Sequence, residues 1–113
     1  MNITIPFIPP SLNRFAGRKN DREYQALKRD WTSLVYHCAP RTEKPIDKSI
    51  VTITYFFKDK RRRDPDNYAG KMVMDGLTAA GIITDDSFDH VELRLVGKCD
   101  KDNPRTEIEI KEV

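Results

Sequence analysis

The run from Ser49 to Phe57 is the sequence feature that most constrains the fold of this chain. It is almost unbroken in β-branched and aromatic residues, which suit the pleated surface of a sheet. The run therefore predicts a β-strand near the centre of a sheet. A strongly charged segment begins directly after Phe57. Loops on a rigid scaffold often carry function, so an active-site loop is expected there.

Three other segments alternate apolar with polar residues and predict strands at Asn2–Ile8, Val91–Leu95 and Thr106–Lys111. Pro9-Pro10 ends the first of them, because proline cannot donate a hydrogen bond to a strand ladder. The last two are separated by the polar turn 100–104. We expect them to pair as a hairpin.

A first amphipathic helix is predicted from Asn20 to just before Pro40. Asn20 is a favourable N-cap residue, and Glu23 completes a capping box with it. The apolar residues of this helix recur at steps of three and four, and they should pack on the sheet. They are Tyr24, Leu27, Trp31, Leu34, Val35 and Cys38.

A second helix is predicted from Asp64-Pro65, where the aspartate is the cap and proline is the first helical residue, to a left-handed cap at Gly81. Helical periodicity gives it two faces. The packing face carries Ala69, Met72, Val73, Gly76 and Ala80, and the polar ridge opposite carries Asn67, Lys71, Asp75 and Thr78. The order β-α-β-α-β-β predicts an α+β fold: one small domain over residues 1–113, with a mixed sheet of about four strands and two helices packed on it.

Composition places constraints on the partner and the compartment. Of the 113 residues 34% are charged, yet the net charge is only +2, because an acidic cluster offsets an otherwise basic body. A basic body is typical of proteins that bind nucleic acid. Cys38 and Cys99 form no metal or redox motif, and no apolar run is long enough to cross a bilayer. We therefore expect a soluble, cytoplasmic protein without a membrane partner.

The charged segment combines phosphate-binding and metal-binding residues. The basic residues Lys60, Arg61, Arg62 and Arg63 directly precede Asp64 and Asp66, and Asp85-Asp86 follows the second helix. Basic groups bind phosphates, and clustered carboxylates bind hard divalent cations such as Mg²⁺. We expect the two aspartate pairs to lie at the same end of the sheet. Lys71 is a candidate for holding a phosphate or assisting proton transfer.

Each of these residues also has a simpler structural interpretation. Asp64 is a helix cap in that interpretation, Asp66 favours the helix dipole, and Lys71 forms an i,i+4 pair with Asp75. Asp85-Asp86 is then only a turn. These interpretations leave the neighbouring basic cluster unexplained. His90 is a weaker candidate for a ligand or base, since it lies on the polar side of a predicted strand.

The motifs resemble those of the RusA-type Holliday junction resolvases. The resemblance rests on Arg63-Asp64-Pro65-Asp66-Asn67, on Lys71, Asp75, Leu77, Gly81 and Asp85-Asp86 in that order, and on the N-terminal loop Pro9-Pro10-Ser11-Leu12-Asn13-Arg14. It spans nearly the whole chain. The stretch from Asp66 to Lys71 is one residue longer than in the best-known member of the family.

The resemblance implies a homodimeric endonuclease that depends on Mg²⁺, with Mn²⁺ as a substitute and no organic cofactor, and that cuts four-way DNA junctions in recombination and repair. It implies a bacterial or phage-encoded protein. The implied catalytic residues are Asp64, Asp66, Asp86 and Lys71; the implied metal ligands are the same three aspartates, with Asp85 as the second choice in its pair. The residues expected to contact DNA are Lys60, Arg61, Arg62 and Arg63, together with Arg14, Arg18 and Lys19 of the N-terminal loop.

Two other functions compete with a junction resolvase. The first is a non-catalytic nucleic-acid-binding module that uses Arg61–Arg63, and it predicts steeply salt-dependent binding without a metal requirement. The second is a hydrolase of free nucleotides. Metal-dependent cleavage of a synthetic junction distinguishes the resolvase from both.

Overall fold

A computed structural model describes residues 1–12 and 21–113. Its elements are β1 (Asn2–Ile5), α1 (Asp21–Cys38), β2 (Ser49–Phe57), a 3-10 turn (Pro65–Tyr68), α2 (Lys71–Ala79), β3 (Val91–Cys99) and β4 (Arg105–Glu112). The predicted order of strands and helices is confirmed, as is the α+β class with a mixed sheet.

β2 lies inside the sheet, as its sequence predicts. The strand order is β1-β4-β2-β3, so β2 pairs antiparallel with β4 on one side and parallel with β3 on the other. None of the nine residues of β2 is exposed, and Val51, Ile53 and Tyr55 are buried on the face that packs into the core. The apolar run is thus explained by coverage from both flanking strands and from the helices.

The expected hairpin of the last two strands is wrong, because β2 lies between β3 and β4. The turn 100–104 passes the end of β2, where the Asp100 amide donates to the Phe57 carbonyl (2.8 Å). Arg105 fixes this crossing: its guanidinium binds the Asp100 carboxylate at 2.7 Å and stacks on the Phe56 ring at 3.8 Å. β4 is an inner strand because it pairs with β1 on one side and β2 on the other, and its residue Ile108 is fully buried.

The two helices cover one face of the sheet and pack closely on each other. Trp31 and Val35 of α1 are buried, in agreement with the predicted stripe, and the rest of that stripe is partly buried against the core. The close approach of the helices requires Gly76, because a Cβ there would lie 2.8 Å from a methyl group of Val35. α1 ends at Cys38, before Pro40 as predicted, whereas the proposed cap Asn20 lies outside the described residues.

The second helix is not continuous from Asp64, as the sequence predicted. A 3-10 turn over Pro65–Tyr68 is followed by Gly70 in a left-handed conformation (φ 84°), and α2 begins only at Lys71. Close packing explains the break, since a Cβ on Gly70 would lie 2.7 Å from Cδ1 of the buried Ile53. Asn67 therefore does not belong to the polar ridge of α2. The predicted cap at Gly81 is confirmed, with φ 75°.

β1 is shorter than predicted. It ends at Ile5, before Pro6, and the Phe7 side chain is exposed instead of continuing the buried alternation of Ile3 and Ile5. The Phe7 carbonyl accepts a hydrogen bond from the Thr106 hydroxyl (2.7 Å), which ties the segment to β4. Among the described helices, none has the length and apolar character needed to span a membrane.

Candidate functional site

The loop after β2 is held by Arg63, which points inward. Its guanidinium donates to the carbonyl oxygens of Asp59 (3.2 Å) and Arg61 (3.0 Å), pairs with the Asp59 carboxylate (2.9 Å) and stacks on the Phe57 ring (4.3 Å). Only 16% of the Arg63 side chain is exposed. The Arg61 amide and the Arg63 guanidinium both hold the pKa of Asp59 below its ordinary value. Asp59 and Arg63 therefore clamp the loop.

The neighbouring basic residues face solvent. The side chains of Arg61 and Arg62 are 78% and 89% exposed, and Lys60 is exposed as well. Arg62 makes one loose contact, 3.3 Å from an Asp64 carboxylate oxygen. These three cations are available to phosphates, whereas Arg63 is already engaged. The other residues expected to contact DNA, Arg14, Arg18 and Lys19, lie outside the described residues.

Asp64 and Asp66 lie in the tight turn that follows the clamp. The Asp64 backbone is extended and its carbonyl accepts from the Asn67 amide (3.0 Å), but its side chain caps no helix. Both carboxylates belong to exposed residues. The capping role considered for Asp64 is therefore wrong, and its carboxylate is left for other ligands apart from the contact with Arg62.

An aromatic cleft of about 60 Å³ opens beside Asp64. Its walls include Tyr55, Phe57 and Tyr68, whose ring centroids lie 5.1–5.9 Å apart. Burial raises the pKa of the Tyr55 hydroxyl well above its usual range, and Tyr68 adds to this effect. Among the described residues the Tyr55 hydroxyl has no hydrogen-bond partner. Packed aromatic rings therefore lie directly behind the turn that carries Asp64.

Lys71 is the first residue of α2 and forms an ion pair with Asp75 of the same helix. Its ammonium lies 3.6 Å from a carboxylate oxygen of Asp75, and Lys28 of α1 lies 3.5 Å from the same oxygen. That oxygen is buried and makes no hydrogen bond to a described group, so the two ammonium groups balance its charge. The predicted i,i+4 pair is thus confirmed. The Lys71 side chain is 53% exposed to solvent.

The second aspartate pair lies in the loop before β3. The Ser87 hydroxyl and the Asp86 amide donate to the Asp85 carboxylate and hold its pKa below its ordinary value. His90 lies 2.9 Å from the Ser87 hydroxyl, 3.8 Å from Asp85 and 3.6 Å from Asp47. Asp86 is exposed. His90 therefore contacts Asp85, which the sequence did not indicate.

The two aspartate pairs lie at opposite ends of the parallel strands. The Ser49 amide donates to the His90 carbonyl (2.9 Å), which places the second pair where β2 and β3 begin. Asp64 lines the cleft with Val96, near the end of β3. At about 3.3 Å per residue, roughly 20 Å of strand separates His90 from Val96.

The expectation that both pairs share one end of the sheet is therefore wrong. A helical crossover between parallel strands returns the chain to the end at which the first strand began. Among the side chains that the structure describes, no three His, Cys, Asp or Glu residues gather closely enough to hold a metal ion. The oxygen ligands suit Mg²⁺ chemically, but residues 1–12 and 21–113 of one chain do not bring three of them together.

A family model described as endodeoxyribonuclease RusA matches residues 6–111. The chain belongs to the RusA endodeoxyribonuclease family. The resemblance inferred from the motifs is thus confirmed over nearly the whole chain, and RusA membership implies a Holliday junction resolvase nuclease that acts on branched DNA. No curated protein matches the chain.

Sequence reasoning missed Asp59 and the aromatic cleft of this RusA domain. Asp59 and Arg63 are four residues apart, but in a loop that spacing predicts no contact, since the i,i+4 rule applies to helices. Phe57 and Tyr68 are far apart in sequence and meet only because the chain turns back over the sheet. The local signal for the clamp was an aspartate inside a basic run.

Proposed function

We propose that this protein resolves four-way DNA junctions as a Mg²⁺-dependent endonuclease, with Mn²⁺ able to substitute, in DNA recombination and repair. One observation carries the proposal: Asp64 and Asp66 are presented in an exposed turn beside the solvent-exposed cations of Arg61 and Arg62. A DNA strand held by the arginines would place a phosphate against the carboxylates. Membership of the RusA family supports the same substrate.

In this proposal the residues of the chain divide the work by their chemistry. Lys60, Arg61 and Arg62 bind the DNA backbone, because exposed cations neutralise phosphates and release counterions. Asp64, Asp66 and Asp86 are the proposed metal ligands, with Asp85 the alternative to Asp86. When bound, Mg²⁺ supplies charge neutralisation and an activated water. Lys71, next to the turn, is proposed to contact the phosphate that is cut.

The proposal requires a second copy of the chain. One chain holds its aspartate pairs at opposite ends of β3, so a third carboxylate must reach Asp64 and Asp66 from elsewhere. A twofold homodimer can supply it and also matches the pseudo-twofold symmetry of a four-way junction. Two sites related by such an axis would cut symmetrically.

The decisive experiment is cleavage of a synthetic four-way junction with Mg²⁺. Paired nicks are expected from the wild type, and Asp66→Asn should lower the rate about 100-fold or more, since even outer-shell partners of a metal typically cost about 10- to 100-fold. The matched control is Asp102→Asn, which removes an exposed carboxylate in the turn after β3. Its rate should equal that of the wild type.

Two outcomes would replace this proposal. Junction binding that weakens steeply with salt, with no cleavage in Mg²⁺ or Mn²⁺, would indicate the non-catalytic binding module. Phosphate release from free nucleotides by a preparation that leaves junctions intact would indicate the nucleotide hydrolase.

A further inference from the structure

Gly97 opens a gap on the core side of the sheet. Leu95 and Gly97 of β3 pair with Ile53 and Tyr55 of β2, whose side chains are buried in the core. Since alternate residues of a strand point to the same face, position 97 faces the core side, but glycine has no side chain to place there. The aromatic cleft occupies this space, with Gly97 in its wall. Glycine inside a strand often marks a point at which a ligand approaches closely.

The backbone does not require glycine at this position. Gly97 lacks the positive φ that Gly70 and Gly81 adopt. A Cβ on Gly97 would meet one described atom within 4 Å, a ring carbon of Phe57 at 3.7 Å, which is ordinary van der Waals contact. A larger residue would therefore fit and would fill the cleft. What the glycine provides is open space beside Asp64.

This open space suits one flat ring. Its walls include the rings of Tyr55, Phe57 and Tyr68, together with Pro65 and Leu95. The rings of Phe57 and Tyr68 meet edge to face, with centroids 5.1 Å apart. At about 10–15 Å³ for each water, a cleft of about 60 Å³ holds roughly four to six water molecules, close to the bulk of one pyrimidine base. Aromatic side chains stack on the π-face of any base, so such a cleft tolerates different sequences.

The rim of the cleft carries charges that suit a nucleotide. Asp64, a proposed metal ligand, lines the cleft itself. The exposed guanidinium groups of Arg61 and Arg62 directly precede it in the loop. One sugar joins a base to its phosphate, so a nucleotide with its base in the cleft would hold its phosphate at this turn. Apolar walls and a charged rim therefore match the two parts of a nucleotide.

We infer that the aromatic cleft takes a single DNA base that is displaced at the branch point. The inference rests on the proposed function, because the base must belong to the strand held at Asp64. Displacing a base from a continuous duplex costs unstacking and unpairing energy, and this cost is least where a base is already poorly paired or stacked. Stacking is interrupted where strands exchange between the arms of a junction. The cleft thereby favours branched DNA over duplex.

The test measures DNA binding in EDTA, where no metal-dependent cleavage occurs. Gly97→Leu fills the cleft and should lower the affinity for a four-way junction by about 5- to 100-fold, the range for losing one base stacked on aromatic side chains. The affinity for a matched duplex should not change, because it depends on phosphate contacts. Gly97→Ala is the matched control: it removes the same glycine but adds one methyl group, and it should keep the wild-type preference for the junction.

The occupant is identified by removing bases from the DNA. Junctions with one abasic site, placed at successive nucleotides around the branch point, should bind the wild type more weakly at one position. The loss there should equal the loss caused by Gly97→Leu. The same abasic site should cause no further loss with Gly97→Leu, since the variant has already removed the interaction. A double-mutant cycle between protein and DNA measures this coupling.

Urea unfolding distinguishes a lost ligand from a lost fold. Leucine replaces a strand glycine and buries apolar surface, so the midpoint of Gly97→Leu should equal or exceed that of the wild type. If this variant unfolds instead, the abasic series on the wild type decides, and a series with no weakened position would overturn the inference.

Three further results would overturn the base-binding cleft. One is a folded Gly97→Leu that keeps the full junction preference, and another is a wild type that has no such preference. The third is a pair of losses that simply add, which would mean that another group, from this chain or a second copy, fills the cleft. A junction that is bound but not cut would count against the proposed nuclease alone, because cleavage plays no part in this test.

Discussion

Arg63 fixes the conformation of the basic loop through its ion pair with Asp59 and its stacking on the Phe57 ring. A single exposed ion pair contributes little to stability, because water screens it. Here the guanidinium also binds two carbonyl oxygens and a ring, so several small contributions act on the same turn. The consequence is that Arg61 and Arg62 remain exposed to solvent while Asp64 is held beside them. The loop geometry is therefore the role of Arg63, which leaves phosphate contact as the role proposed for Arg61 and Arg62.

The clamp predicts an acid-dependent loss of stability. The pKa of Asp59 lies below its ordinary value of 3.8, so its carboxylate stabilises the fold above that pH and the contribution is lost as pH falls through the folded pKa. Asp59→Asn should lower the urea midpoint at pH 7, and its difference from wild type should shrink as pH falls below about 4. Asp102→Asn, measured in parallel, should show no comparable difference at pH 7. A pH-independent difference for Asp59→Asn would contradict the clamp.

At the scale of elements, two glycines with positive φ begin and end the second helical segment. Gly81 forms a Schellman cap, with its amide on the Thr78 carbonyl (3.1 Å) and the Ile82 amide on the Leu77 carbonyl (2.9 Å). Gly70 interrupts the helical conformation between the turn that carries Asp66 and the helix that carries Lys71. The relative placement of Asp66 and Lys71 thus depends on Gly70.

These glycines predict unequal costs for the same substitution. In Gly81→Ala the new Cβ meets no atom within 4 Å. The free energy of unfolding should therefore fall only by the strain of alanine in a left-handed conformation, about 1–2 kcal/mol. Gly70→Ala has the same conformational cost and in addition forces its Cβ to 2.7 Å from buried Ile53, so we expect about 2–4 kcal/mol. Urea unfolding of both variants measures the difference. Equal losses of unfolding free energy in the two variants would show that the surroundings of Gly70 accommodate a Cβ without strain.

At the scale of the whole molecule, the proposed site belongs to two chains. Asp66→Asn and Asp86→Asn should each be inactive as homodimers. In a mixed dimer one site combines the intact Asp66 of one copy with the intact Asp86 of the other, whereas the second site has both changes. Random mixing should therefore restore about a quarter of wild-type nicking, since half of the dimers are mixed and half of their sites are intact.

Nicking of a single strand, rather than paired cuts, is the expected product of the mixed dimer. Each variant refolded alone provides the control. If the mixture stays as inactive as its components, each site takes all its carboxylates from one chain, and the subunit-sharing arrangement is wrong.

The sequence by itself determined the elements of this protein and the identity of its charged residues. Hydrophobic periodicity is a local property, so β2, the α1 stripe and the order of elements could all be predicted from it, as could the cap at Gly81. The motif around Asp64 and Asp66 was sufficient to indicate the family. Short-range chemistry determines all of these features.

Only the tertiary structure decided how those elements and charges meet. β4 inserts between β1 and β2 instead of pairing with β3, because strand pairing depends on which apolar faces can be buried together. The inward turn of Arg63 and the break at Gly70 depend on Phe57 and Ile53, which packing brings near. The parallel pairing of β2 and β3 separates the two aspartate pairs, since a crossover helix carries the chain back along the sheet. No local pattern encodes that distance.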